Sequence, residues 1–331
     1  MNRYLILALG FVVGFSDWAR AYARETRRSF RITIEVVDDL GAPIEGAQIG
    51  LSTFHHWERG EGFGRDVSSI YEAVSNAQGI ATIEGKSLRG DTNYGPRLKS
   101  GYYSGGDGKF RFREVRDGRW DPWDPTVKVV MKRIVNPIPL YARKVGNILE
   151  FKIPAFNHPY GFDLVTGDWV APHGKGKTPD IIYTIKELVP YTVGSAPFDY
   201  VLEVAFSREG DGILAVPSDN SVLRVPHSAP ERGYQPTFQR QMARFEKGDP
   251  IKNEVSADRN YFFRVRTVLD EHGQIKEALY GKIYGEIEFG VNRRLIFNYF
   301  LNPTSLDRNL EFDPGRNLFT RLDTFEEVTM P

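Results

Sequence analysis

Phe30-Arg31-Ile32-Thr33-Ile34-Glu35-Val36 alternates without interruption, with Ile32, Ile34 and Val36 on one face and Thr33 and Glu35 on the other. A period of two with β-branched residues on the apolar side predicts a half-buried strand. The strand ends at Asp38-Asp39-Leu40-Gly41. Ala42-Pro43-Ile44-Glu45-Gly46-Ala47 then turns the chain, and residues 48–51 read as the returning strand. Residues 81–84 follow the turn Asn76-Ala77-Gln78-Gly79 as a third strand, and residues 109–115 follow Gly105-Gly106-Asp107-Gly108 as a fourth. Residues 127–131 close the series. Short strands at this spacing, separated by turn residues, predict a sandwich.

Upstream of this pattern the chain begins with Arg3, an apolar run over residues 4–15, and a polar stretch that ends in Ala21-Tyr22-Ala23. The run is too short to span a bilayer, and small residues stand where signal peptidase requires them, so residues 1–23 are expected to be a leader cleaved after Ala23. The mature chain is then exported, to the periplasm or the extracellular space. No transmembrane segment is expected after cleavage, because Gly, Pro or charge interrupts every later apolar stretch.

Cysteine is absent, which excludes a disulfide framework, a thiolate nucleophile, a zinc-thiolate site and a lipidated cysteine. Basic and acidic residues balance at 43 each, so no electrostatic case for nucleic acid arises. The 22 Phe, 16 Tyr and 5 Trp, with 32 Gly and 20 Pro, suit short strands and tight turns. The expected fold class is mostly β: an N-terminal sandwich over residues 29–133, followed by a larger antiparallel β domain over residues 134–331. Asn136-Pro137-Ile138-Pro139 is the expected joint, since Pro does not serve a central strand. In the second part, residues 260–269 and 282–289 alternate and are expected to pair around the turn Asp270-Glu271-His272-Gly273. Phe238, Met242 and Phe245 after Pro236 predict a helix over residues 237–245.

The stretch Val37-Asp38-Asp39-Leu40-Gly41-Ala42-Pro43-Ile44-Glu45-Gly46-Ala47-Gln48-Ile49, followed by Ser75-Asn76-Ala77-Gln78-Gly79-Ile80-Ala81 and then Lys99-Ser100-Gly101-Tyr102-Tyr103, resembles the carboxypeptidase regulatory-like domain. The resemblance implies a prealbumin-like or Ig-like β-sandwich of the kind carried as an accessory module by exported proteins. It covers about a third of the chain and departs from the family pattern by an insertion at residues 55–71 and by Trp120-Asp121-Pro122-Trp123-Asp124-Pro125. The remainder, notably residues 161–170 and 298–303, is similar to regions of uncharacterised bacterial exported proteins, which implies no activity.

Gly174-Lys175-Gly176-Lys177-Thr178 ends like a phosphate loop, but position 171 is Ala where the opening glycine belongs, so a solvated loop is expected. His55 and His56 share a segment with Glu58, Glu61 and Asp66, residue types that bind metals. Adjacent strand residues point to opposite faces, however, and no metal site or cofactor is expected. Neither a Gly-x-Ser-x-Gly elbow nor a Ser-x-x-Lys occurs. The candidate ligand-binding residues are Tyr102, Tyr103, Trp120, Asp121, Trp123 and Asp124, with Tyr94 nearby in sequence: aromatic faces stack on sugar rings while carboxylates accept their hydroxyls. The competing role for these rings is to fill the sandwich core or the interdomain joint. The expectation is an exported binding or structural protein of the cell envelope that recognises a glycan, an envelope polymer or a protein partner. The alternative is a hydrolase of such a polymer, its catalytic residues in the C-terminal domain and held in a cleft of converging acids or histidines.

Overall fold

A computed structural model describes residues 27–58, 65–105, 108–146, 151–192, 194 and 197–331, with only the backbone described for 55–58 and 65–66. The expected leader, residues 1–23, lies outside these. Apart from one 3-10 turn at Pro314–Arg316, all regular structure among the described residues is β-strand. The described residues of Met1–Leu98 and Asp107–Val129 form a smaller unit, and those of Lys99–Gly106 and Val130–Pro331 a larger one.

The first strands in chain order are β1 (Arg28–Asp38), β2 (Gln48–Glu58), β3 (Arg65–Val74), β4 (Ile80–Ser87), β5 (Asp91–Leu98), β6 (Gly108–Arg111), β7 (Glu114–Arg116), β8 (Arg119–Asp121) and β9 (Thr126–Met131). They make two sheets, β4-β1-β8-β7 with β9 on β1, and β3-β2-β5-β6. The alternation of β1 holds as expected: Phe30, Ile32, Ile34 and Val36 are fully buried, with Ile32 opposite Ile83 and Ile34 opposite Ala81 on β4. On β2 of the second sheet Ile49 and Leu51 are also fully buried.

The turn chemistry after β1 is explicit. Asp38 Oδ1 accepts the amides of Leu40 and Ala42, and Gly41 takes a φ of 85°. Ser75 Oγ accepts the Ala47 amide and donates to the Ile44 carbonyl, tying this turn to the next. At Gly79 both φ (73°) and space demand glycine, since a Cβ there would lie 2.5 Å from the Val36 carbonyl oxygen. Residues 55–71, expected as an insertion, belong largely to the long β2–β3 hairpin. Its register shifts between Phe54 and His56, and such a bulge breaks the alternation that would have announced the strands. The expected fourth strand over residues 109–115 is instead two strands, β6 and β7.

The larger unit continues with β10 (Tyr141–Val145), β11 (Tyr160–Asp163), β12 (Asp168–Trp169), β13 (Ile181–Val189), β14 (Phe198–Ala205), β15 (Gly212–Pro217), β16 (Thr237–Arg244), β17 (Lys252–Asn253), β18 (Arg259–Leu269), β19 (Ile275–Phe289) and β20 (Leu295–Leu301). A five-stranded sheet, β10-β20-β19-β18-β15, and a six-stranded sheet, β12-β11-β13-β14-β16-β17, are antiparallel throughout. Their common core is aromatic, with Phe162, Tyr183, Tyr200, Tyr261, Phe263, Phe297 and Tyr299 among its buried residues. The opposite face of the five-stranded sheet is buried as well: Phe262, Tyr280, Tyr284 and Phe300 pack with Val225, Leu310, Phe312 and Val328. Because adjacent residues such as Phe262 and Phe263 project to opposite faces, the central strands are apolar on both sides. Gly281 on β19 allows the close packing, as a Cβ there would lie 2.0 Å from the Phe263 ring.

β18 and β19 pair around the expected turn Asp270–Gly273, but over residues 275–283: of the expected partner strand 282–289 only Lys282 and Ile283 meet β18, while Tyr284, Glu288 and Phe289 pair with β20. The expected helix over 237–245 is instead strand β16, which pairs with β14 from Phe198↔Arg244 to Ala205↔Thr237. Phe238 and Met242 are an even number of residues apart and so share a strand face as readily as a helix face. Arg240 lies between them on that face and is buried, yet its charge makes it read as a break in apolar alternation. Asn136–Pro139, expected as the joint, is tied down within the larger unit: the Val135 and Asn136 amides donate to Glu311, and the Ile138 amide to the Glu311 carbonyl.

Candidate functional site

The sequence-derived candidates divide between the two units. In the smaller, Trp120 stacks on Phe112 at 6.3 Å between ring centroids and donates its Nε1 hydrogen to the Ser87 carbonyl at 3.2 Å. Trp123 is 41% exposed with the Arg119 guanidinium 4.9 Å over its ring. Asp124, at a φ of 56°, accepts the Thr33 hydroxyl at 2.7 Å and pairs with Arg31 at 2.9 Å, so its oxygens are already engaged. Asp121 lies 3.8 Å from Arg116. Tyr94 sits beside Gly108, and burial raises its pKa. In the larger unit Tyr103 donates its hydroxyl to Glu311 at 2.8 Å, while the Arg133 guanidinium lies 5.5 Å over Tyr102. Burial, then that bond to Glu311, drives the Tyr103 pKa far up.

The Gly174–Thr178 loop cannot serve a phosphate while its amides are bound to the protein itself. The Lys175 amide donates to Asp168, and those of Lys177 and Thr178 donate to Asp163. Burial alone would raise the pKa of Asp163, but these amides and that of Thr166 outweigh it and hold the pKa down. Arg266, at a φ of 57°, bridges Asp163 and Asp180. Burial raises the pKa of Asp180 against the pull of that guanidinium. Among the described residues no group of three His, Asp or Glu side chains is placed to hold a metal ion. The side chains of His55, His56, Glu58, Glu61 and Asp66 lie outside the described residues.

Two other buried polar groups could carry chemistry. Glu286 accepts from Tyr261 at 2.7 Å, from the Ser256 amide at 2.9 Å, from Arg259 at 3.1 Å and from Arg240 at 3.3 Å, a fully engaged carboxylate. Lys282 is completely buried on the second face of the five-stranded sheet. Its Nζ donates to the Tyr284 hydroxyl at 2.8 Å and lies 4.5 Å from the Tyr284 and Phe300 ring centroids. The rings favour an ammonium, but burial and the neighbouring Lys132 charge outweigh them, and the pKa falls well below that of a free lysine. Completely buried, this amine offers no nucleophile to a substrate arriving from solvent.

Among the clefts that described residues of the larger unit line, two hold charged side chains beside apolar ones. One, of about 680 Å3, is lined by Glu231, Arg232, Arg264 and Arg308 among others. Most of its charge is committed internally: Arg264 donates to the Gly210 and Glu231 carbonyls, and Arg308 to the Ala229 carbonyl and the Glu231 carboxylate. The second, of about 540 Å3, lies at one end of the sandwich and is lined from both sheets. The six-stranded sheet contributes Phe198, Met242 and Arg244, and the β19–β20 hairpin contributes Glu288, Phe289 and Ile296. Tyr191, edge-on to Phe198 at 5.7 Å, and the exposed Ile251 complete the apolar wall. Arg244 is the cross-strand partner of Phe198, its guanidinium 5.6 Å over the ring, and its buried Nε has no hydrogen-bond acceptor among the described residues. This cleft is the strongest candidate site, because a largely apolar concavity with a few directed polar groups is what small-ligand sites require.

None of the cleft residues was legible as a site in the sequence. Phe198, Tyr200, Leu202 and Val204 alternate visibly, but the register that puts Arg244 on Phe198 is a property of strand pairing.

No family model matches the chain, and no curated protein sequence matches it. Among solved structures it is similar to the full-length major pilin SpaD from Corynebacterium diphtheriae, with 8% identity, a TM-score of 0.25, and coverage of 83% of this chain and 64% of that one. It is also similar to BcpA, the major pilin subunit of Bacillus cereus, with 11% identity, a TM-score of 0.22, and coverage of 82% and 67%. A third is a DUF3823 family protein from Parabacteroides merdae, with 7% identity, a TM-score of 0.19, and coverage of 85% and 100%. The chain thus spans just under two thirds of the SpaD structure's length, and at these TM-scores the likenesses carry no argument about function.

Proposed function

We propose that this chain is an exported binding protein of the cell envelope that takes its ligand, a glycan, an envelope polymer or a group presented by a protein partner, in the end cleft of the larger unit. In this reading residues 1–23 are the leader, the sandwich of the smaller unit is an accessory module of the carboxypeptidase regulatory-like kind, and the larger unit is the recognition domain. The observation that carries it is the lining of the cleft, where Phe198, Met242, Phe289 and Ile296 form an apolar wall beside the Arg244 guanidinium, which stands 5.6 Å over the Phe198 ring. A glycoside hydrolase ordinarily works with two converging acids, and among the described residues that line this cleft Glu288 is the one carboxylate and there is no histidine.

Ile251 is half exposed, so Ile251→Trp fills the cleft without touching the core. Purified protein should be retained on isolated envelope polysaccharide or sacculi, and the I251W variant, with unchanged melting temperature, should lose that retention. Equal retention of both proteins would remove the cleft from the binding surface.

A further inference from the structure

We infer that the group recognised in the end cleft is an oxyanion, a carboxylate or sulfonate, attached to an apolar or aromatic body, with Arg244 as its principal partner; this rests on the binding reading above. The cleft joins two kinds of wall. Phe198, Phe289, Met242 and Ile296 offer a surface on which a ring or short hydrocarbon segment loses water favourably. Among the described residues of the lining, Arg244 and Arg294 supply two guanidinium groups against one carboxylate, Glu288, so it is net cationic. A cationic ligand is disfavoured by that sign, and a purely apolar one would cover the Arg244 guanidinium without offering it an acceptor.

Between a neutral hydroxyl and a carboxylate the guanidinium discriminates by geometry. Its donors form a planar fork that matches two carboxylate oxygens at once, whereas a hydroxyl accepts only one of them. Phe198 holds the guanidinium by a cation–π contact at 5.6 Å, so part of the ordering that binding requires is already in place. Arg294 is braced separately, donating to the Gly146 carbonyl at 3.2 Å, and contributes charge at the same site.

Two dyes with the same aromatic body test the assignment: 1-anilinonaphthalene-8-sulfonate, which is anionic, and N-phenyl-1-naphthylamine, which is neutral. Fluorescence titration of the full chain should show the anionic dye binding about tenfold more tightly, as one charge-assisted hydrogen bond allows. Arg244→Met should erase most of that preference while leaving the affinity for the neutral dye unchanged, and Arg244→Lys should retain part of it. Equal affinities in the wild type, unaltered by R244M, would overturn the anionic assignment and leave the cleft reading standing. If I251W changes the binding of neither dye, the cleft is not where they bind and both readings fall. Loss of both dyes in R244M and R244K alike would make Arg244 a structural strut and overturn the assignment as well.

Discussion

The smaller unit is a two-sheet sandwich whose first strand shows one apolar and one polar face, whereas the larger unit's five-stranded sheet is covered on both. On β1 the buried residues are Phe30, Ile32, Ile34 and Val36, and Arg31 on the other face makes a surface pair with Glu84 at 2.9 Å. On β19 burial runs nearly unbroken from Ala278 to Ile287 and takes in Lys282 and Glu286. A sheet with one wet face can leave its charges in water. A sheet with two dry faces must either exclude them or pair and neutralise them inside. The same kind of residue therefore has different energetic weight in the two units.

The largest expected effect of that difference lies at Asp180. Asp180→Ala leaves Arg266 without its main partner and the Leu164 amide without an acceptor, so the loss should be about 3–5 kcal/mol by urea unfolding. Removing the exposed Glu84 from Arg31 in the smaller unit should cost under about 1 kcal/mol. Similar losses at the two sites would mean that the buried pair is far more hydrated than its burial indicates.

A smaller effect separates the two tryptophans within the smaller unit. Trp120 is half-buried, stacked and hydrogen-bonded, and Trp120→Ala should cost about 2–3 kcal/mol. Trp123 is covered on one side only by Arg119, and Trp123→Ala should cost under about 1 kcal/mol. Thermal melts of the two variants would expose a shared ligand platform if neither lowered the melting temperature while both weakened retention on a glycan.

How much was legible follows the same division. The turns around Asp38, Gly41, Pro43 and Gly79 and the alternation of β1 are local chemistry, visible along the chain. The pairing of β18 with β19 was legible too, because a tight turn joins them. The β2–β3 hairpin escaped because its register shifts at Phe54/His56, and β16 was mistaken for a helix because Arg240 occupies a core position as one half of a buried pair with Glu286. The Arg240 charge is tolerable only because a distant strand supplies Glu286, and no local pattern carries that fact. The end cleft escaped for the same reason: Phe198, Arg244 and Phe289 come together only through sheet register and the packing of one sheet on the other.

The last prediction concerns Lys282, where the doubly buried sheet holds a charge-bearing residue with no carboxylate bonded to it. Lys282→Met keeps the length and packing of the side chain and removes the cost of discharging or burying an ammonium, so it should stabilise the chain by about 1–2 kcal/mol at pH 7. Nothing is orphaned by the change, because the Tyr284 hydroxyl still donates to the Pro331 carbonyl oxygen at 2.7 Å. The gain must also depend on pH with a definite sign. An unfolded lysine titrates near its ordinary value of about 10.4, and the folded one titrates below it. Between the two values the unfolded chain binds a proton that the folded chain lacks, so the stability of the wild type rises with pH there, by at most about 1.4 kcal/mol per unit. The methionine variant lacks this rise, and its advantage should shrink as pH increases from 7 towards 9.5. Working below pH 10 and taking the difference between the two proteins removes the contribution of Tyr103 and Tyr284, whose pKa values burial raises. A constant or growing advantage of the methionine variant would show that the buried amine keeps its proton across that range, and that the Tyr284 and Phe300 rings outweigh the dry second face.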